Sequence, residues 1–103
     1  MSITRQVGDI IREKIANTIK PVFDGINISF NSDDIINDFA RFGEGGIEAT
    51  FYIKGVDNVV RKEFNAQVAL LRSSNLLIED FKVKFKRPEK EVRFYLKVKN
   101  ENS

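Results

Sequence analysis

Residues 81–86 and 92–99 alternate strictly between apolar and polar side chains. The apolar positions are Phe81, Val83 and Phe85 in the first run, and Val92, Phe94, Leu96 and Val98 in the second. Successive side chains of a strand point to opposite faces of a sheet, so this pattern predicts a β-hairpin with one apolar face. The other face collects basic residues and one tyrosine: Lys82, Lys84, Lys86, Arg93, Tyr95, Lys97 and Lys99.

The N-terminal segment has the spacing of an amphipathic helix. Its apolar residues fall within about half of a helical circumference. They are Ile3, Val7, Ile10, Ile11, Ile15 and Ile19. We expect a helix over residues 3–20 that Pro21 ends, because proline disfavours the helical conformation at the residue before it.

Two strands and two helices are expected in the middle of the chain. Ser32, Asp33 and Asp34 are typical of the first turn of a helix. The apolar stripe of that helix would be Ile35, Ile36, Phe39 and Phe42. The predicted elements are a strand over residues 26–30, a helix over 32–42, a strand over 47–54 and a helix over 59–74.

The predicted order is α-β-α-β-α-β-β, which is an α+β fold of the two-layer type. One apolar and one polar face on each strand indicate a four-stranded sheet with helices on one face and a C-terminal basic hairpin. The alternation breaks at Glu79 and Asp80, which predicts a bulge. A chain of 103 residues is expected to form a single domain, with an N-terminal helix over 1–22 and a β-α-β-α-β-β body over 24–99.

The chain contains no cysteine and no histidine. Disulfides, thiolate or histidine metal sites and a histidine general base are therefore excluded. The remaining carboxylates, lysines and tyrosines form no recognisable catalytic pattern, so we expect neither an enzyme nor a cofactor or metal. No apolar run approaches the ~20 residues of a membrane span. The N-terminus lacks the pattern of a signal peptide, and we expect a cytoplasmic protein without membrane contact.

Basic residues are concentrated near the C-terminus. Residues 81–103 carry 8 basic and 3 acidic side chains, whereas residues 1–80 carry 9 basic and 12 acidic ones. This polarity predicts a polyanionic partner, with nucleic acid as the first candidate. The expected contact residues are Lys82, Lys84, Lys86, Arg87, Lys90, Arg93, Tyr95, Lys97 and Lys99. Lysines on an exposed strand can also serve solubility alone, and that alternative stays open.

Tyr52 and Tyr95, the two tyrosines of the chain, are both expected on outward strand faces. There they can stack on bases or cover the aliphatic stems of neighbouring lysines. The second role is favoured, because the platform motifs of known sheet-type RNA binders are absent.

The first and the last predicted helix carry broad apolar surfaces. These surfaces can pack within the chain or against a second copy, and the sequence leaves both open. The candidate contacts of a homodimer are Ile3, Val7, Ile11, Ile15, Val59, Ala66 and Leu70.

Three features suggest a family resemblance: the strand end Ile53-Lys54-Gly55, a helix ending near Arg72, and the basic final hairpin. With the order β-α-β-α-β-β over residues 26–99, they resemble the archaeal chromatin protein Alba. The C-terminal domain of bacterial translation initiation factor 3 is less closely similar. The resemblance implies a two-layer fold that meets nucleic acid through a basic face or hairpin. Residues 31–34 include two aspartates where Alba-type proteins place lysines, so only the hairpin contact is expected to hold.

We therefore expect a small nucleic-acid-binding protein that contacts phosphates through residues 81–99, largely without sequence preference. DNA and RNA are equally open as ligands. The alternative is a protein-interaction or assembly module, for example a viral or complex accessory protein. Such a module would oligomerise through the first helix or dock on an acidic protein surface.

Overall fold

The computed structural model describes residues 3–43, 45–54, 59–86 and 91–100, with side chains from residue 9 onward. Its elements are helix α1 (Ile3–Asp24), a short 3-10 turn (Ser32–Asp34), strands β1 (Ile35–Gly43) and β2 (Gly46–Lys54), helix α2 (Arg61–Ser74), and strands β3 (Ile78–Lys86) and β4 (Glu91–Val98). The strands form one antiparallel sheet in the order β1-β2-β4-β3. The predicted α+β class with a four-stranded sheet is confirmed.

One hydrophobic cluster lies between the helices and the sheet. The sheet contributes the inward residues of its two central strands, β2 and β4, together with Ile35 of β1 and Phe81 of β3, and both helices cover them. Phe64 of α2 is fully buried at the centre of an aromatic group, with ring centroids 5.7 Å from Phe23, 5.6 Å from Phe85 and 6.0 Å from Phe94. Both helices therefore pack on the same face of the sheet.

The predicted C-terminal hairpin is confirmed in its strands and faces. Phe81, Val92, Phe94 and Leu96 are buried, whereas the lysines that alternate with them on the two strands point away from the helices. The pairing of β3 with β4 shifts register between Ile78 and Asp80, as the broken alternation predicts.

The helix predicted over residues 32–42 is wrong. Asn31 and Asp34 form a capping box around a single 3-10 turn, and the chain then extends as β1. The pairing of β1 with β2 contains a bulge between Asn37 and Phe39. Because the bulge inserts one extra residue, Ile36 and Phe39 lie on the same face three positions apart, which is the spacing that suggested a helix.

The strand predicted over residues 26–30 is also wrong. Ile26, Ile28 and Phe30 are half-buried and pack against the core, as the alternation indicated, but the segment is a turn followed by irregular backbone. The ring of Phe30 stacks on Phe23 with centroids 4.2 Å apart. The order is therefore α-β-β-α-β-β, and residues 26–99 do not form the predicted order β-α-β-α-β-β.

Helix α1 continues past Pro21, where the sequence predicted its end. Val22 and Phe23 are fully buried in the last turn of the helix. Burying two large apolar side chains contributes roughly 3–6 kcal/mol, which offsets the ~3 kcal/mol that an internal proline costs.

Candidate functional site

The face of the sheet that points away from both helices, called the outer face below, carries most of the predicted contact residues. Two rows of neighbouring side chains cross its centre from β1 to β3. In strand order they are Ile36, Tyr52, Arg93 and Lys84 in one row, and Phe39, Thr50, Tyr95 and Lys82 in the next. The β1 half of these rows is apolar and aromatic, and the β3 half is basic.

A shallow depression of about 330 Å³ lies in the middle of the outer face. Tyr95, Thr50 and Arg93 contribute to its lining, with Lys82 and Lys84 along the β3 side. Asp38, which pairs with Arg93, also lines it. An aromatic ring, a hydroxyl, three cations and one carboxylate thus surround one opening, in which the ring can contact a planar group and the two lysines an anion.

Several of the predicted contact cations are paired with carboxylates of the same chain. Arg93 lies 2.6 Å from Asp38 and 2.7 Å from Glu91, and its contact with Glu91 is not aligned as a hydrogen bond. Lys82 lies 3.4 Å from Asp80. Lys97 and Lys99 each lie 3.7 Å from Glu79. Asp80 and Glu79 lower the positive potential at the end of the outer face farthest from residues 87–90, whereas Glu91 lies at the opposite end, paired in register with Lys54 and Lys86.

Among the described residues, the end of the outer face next to residues 87–90 carries three lysines and one carboxylate, that of Glu91, which pairs with Arg93. Lys84, Lys86 and Lys54 lie there, and no ion pair of theirs is found in the described part of the chain. Arg87 and Lys90, which were also predicted to make contacts, lie outside the described residues. Lys54 was not among the predicted contact residues, because the alternation of residues 47–54 places it outward without indicating that β2 lies beside β4.

Both tyrosines lie on the outer face among cations. The Arg93 guanidinium is 5.0 Å and the Lys54 ammonium 6.0 Å from the Tyr52 ring centroid. The Lys82 ammonium is 5.8 Å from the Tyr95 ring centroid. Each ring thus lies within cation–π distance of a neighbouring cation, and both rings remain partly exposed.

Tyr95 is also held by a hydrogen bond, because its hydroxyl donates to Glu48 at 2.6 Å. Arg41 donates to the other carboxylate oxygen of Glu48. The hydrogen bonds from Tyr95 and Arg41 hold the pKa of Glu48 below its usual range. The same bond to Glu48, followed by burial, raises the pKa of Tyr95. This network fixes the aromatic ring at the edge of the depression.

The predicted dimer contacts are divided between core and surface. Ile11 and Ile15 are buried in the core of their own chain, so they offer no surface to a second copy, and Val59 packs against that core. Ala66 and Leu70 are exposed on α2. The side chains of Ile3 and Val7 lie outside the described ones. From residue 11 onward, the apolar arc of α1 therefore packs within the chain.

Within the described ranges, no group of three acidic side chains converges as a metal site requires. Neither helix combines the length and apolar character needed to cross a bilayer, over the residues that the structure describes. Comparisons of the chain with protein-family models, curated proteins and solved structures found no match.

Proposed function

We propose that the outer face binds single-stranded nucleic acid, largely without sequence preference. The observation that carries this proposal is the combination of Tyr52 and Tyr95 with Arg93, Lys82 and Lys84 in two adjacent rows. Proteins that bind single strands combine a basic surface for phosphates with aromatic rings on which bases stack. Phosphate contacts and stacking carry little base identity, which accounts for the expected lack of sequence preference.

A single strand fits this surface better than a duplex. Stacking on Tyr52 or Tyr95 requires an unpaired base, which a duplex does not offer. The depression beside Tyr95 would receive such a base, while Lys84 and Lys86 would contact the phosphates that follow it. The carboxylates Glu48, Asp80 and Glu91 on the same face oppose a long polyanion and limit the contact to a short stretch.

The number of lysines that can contact phosphates determines how strongly salt should weaken the binding of single strands. Lys54, Lys84 and Lys86, together with Lys82 once it leaves Asp80, would neutralise three or four phosphates. For single strands the affinity should then fall roughly 20–50-fold between about 50 and 200 mM salt. If all eight predicted cations contacted phosphates, the affinity would fall further with salt. Four of them are already paired with carboxylates of the same chain.

The test is fluorescence anisotropy with labelled single-stranded RNA, single-stranded DNA and duplex DNA at these two salt concentrations. The double variant Lys84→Ala/Lys86→Ala should bind single strands roughly 10–30-fold more weakly, because two phosphate contacts are removed. The matched control is Lys20→Ala/Lys62→Ala, which removes the same charge from exposed positions on α1 and α2. Equal weakening by both double variants would mean that only net charge matters and would contradict the proposed site.

The role of stacking is tested separately with Tyr52→Ala and Tyr52→Phe. Loss of the ring should reduce single-strand affinity by about 1–3 kcal/mol, whereas Tyr52→Phe keeps the ring and should bind as wild type does. If no polymer binds at about 50 mM salt, the proposal is wrong and an acidic protein becomes the partner to seek for the basic end.

A further inference from the structure

Strand β1 is an edge strand with an unusually apolar surface. It pairs with β2 on one side only, and eight of its nine residues are exposed. Ile36, Phe39 and Phe42 are 40%, 52% and 50% exposed. An edge that offers unpaired backbone groups beside large apolar side chains is a template for pairing with another strand.

The opposite edge of the sheet is protected against such pairing. Strand β3 carries Lys82, Lys84 and Lys86 on one face, and its register shift lies near Glu79. Lysines and bulges are common devices against strand addition. Strand β1 has a bulge near Asp38 but no lysine and no proline. The stretch that follows the bulge, from Phe39 to Gly43, is regularly paired with β2 and open on its other side.

We propose that β1 pairs with the β1 of a second copy, antiparallel and about a two-fold axis at Ala40. Phe39 and Arg41 both lie on the outer face, since they pair with Thr50 and Glu48. In this register each Phe39 faces the partner subunit's Arg41. The Arg41 guanidinium already lies 6.0 Å from the Phe39 ring centroid within one chain, so a second cation–π contact would form across the axis.

Charge and size at the axis favour a second copy over another partner. Strand β1 carries one acidic and one basic side chain, Asp38 and Arg41, so two copies approach without net repulsion. Ala40 is small and exposed on the inner face, so it leaves room for the partner subunit's Ala40 across the axis. A register centred on Arg41 would oppose like charges, and one centred on Phe39 would run into the bulge.

The resulting dimer would have a continuous eight-stranded sheet. A contact limited to one strand falls below the ~1,200 Å² of a standard interface and belongs to the weak class. Association should therefore depend on protein concentration and, being apolar at its centre, change little with salt. That behaviour differs from an ionic contact between the basic end of one copy and an acidic surface of the next.

Sedimentation of wild-type protein from about 10 μM to about 1 mM should show a monomer–dimer equilibrium. Phe39→Lys places a lysine on the β1 edge and should shift the protein to monomer. Leu70→Lys is the matched control, because Leu70 is an exposed apolar residue on α2. A wild type that stays monomeric overturns the proposal, and so does a dimer that only Leu70→Lys disrupts.

Hydrogen exchange on wild-type protein provides a test that needs no variant. Raising the protein concentration should slow amide exchange in residues 39–42 several-fold, while β3 amides at the opposite edge remain unchanged. Concentration-dependent protection on β3 or α2 instead of β1 would place the interface elsewhere and overturn the proposal. Neither measurement involves nucleic acid, so the dimer and the nucleic-acid site can fail independently.

Discussion

Individual side chains on the outer face are defined by their neighbours on other strands. Glu48 of β2 accepts hydrogen bonds from Arg41 of β1 and Tyr95 of β4. The hydrogen bond between Tyr95 and Glu48 could not be predicted from the sequence, because the two residues are 47 positions apart. The network keeps Glu48 ionised and fixes Tyr95 beside the depression.

The pKa of Glu48 should depend on its hydrogen bond from Tyr95. Because its pKa is lowered in the folded protein, Glu48 stabilises the fold above the ordinary glutamate pKa of about 4.3, and this stabilisation is lost as the pH falls through the folded value. Tyr95→Phe removes the hydrogen bond that contributes most, so the pKa of Glu48 should rise toward its usual value. Carboxyl NMR titration of wild type and variant measures this. An unchanged pKa would mean that Tyr95 does not control Glu48.

Gly46 is a second position where one residue decides local structure. It begins β2 with a φ of +115°, and a Cβ there would overlap the carbonyl oxygen of Val98. We predict that Gly46→Ala lowers the free energy of unfolding by at least ~2 kcal/mol, because strain and overlap add. Gly45→Ala has open space around its Cβ and is the control. Chemical denaturation should separate the two; equal losses would contradict the steric explanation.

At the scale of elements, the bulge in β1 has the largest consequence. It gives β1 the three-residue spacing between Ile36 and Phe39 that imitates a helix, while placing both on the outer face beside Tyr52 and Thr50. The same bulge positions Asp38 against Arg93. One inserted residue therefore shapes both the apolar half of the outer face and the edge at which we expect a second copy.

Helix α1 provides the third prediction. Pro21 is exposed, so its ring contributes little packing, and it removes one backbone hydrogen bond inside the helix. Pro21→Ala should raise the free energy of unfolding by about 1–2 kcal/mol, after allowing for the greater freedom of the unfolded chain. Denaturant titration measures the change. A destabilised variant would indicate that the proline is needed to place Val22 and Phe23.

At the scale of the whole molecule, one face of the sheet packs on the helices and the other lies away from them. The inner face packs on both helices around Phe64. The outer face combines tyrosines, cations and carboxylates on the side of the sheet opposite α1 and α2. Changes on the outer face should therefore alter binding with little effect on stability.

The fourth prediction compares two phenylalanines on this basis. Phe64→Ala leaves a cavity in the aromatic group and should cost about 3–5 kcal/mol, with cooperative loss of the whole fold. Phe39→Ala removes a half-exposed ring at the β1 edge and should lower the free energy of unfolding much less than Phe64→Ala does. Thermal unfolding followed by circular dichroism measures both. Similar losses for the two variants would show that the sheet is stabilised from both faces.

The periodicity of the chain was sufficient for much of the fold. Alternation over residues 47–54 and 81–99 predicts which side chains of β2, β3 and β4 are buried, because burial on one face requires a period of two. The apolar spacing of α1 and the break at Glu79 are likewise local signals. For the same reason the sequence already places Lys84, Lys86 and Tyr95 on one face.

Pairing across the sheet was decided only by the tertiary structure. The apolar spacing of residues 35–42 is compatible with a helix. The segment instead forms β1 by pairing with β2, and the bulge near Asp38 keeps Ile36 and Phe39 on the same face. Which cations remain unpaired follows from carboxylates on other strands or beyond a bulge, such as Asp38 and Glu79. Local patterns determine the face on which a side chain lies. Its neighbours on that face depend on strand order, which is set by packing over the whole chain.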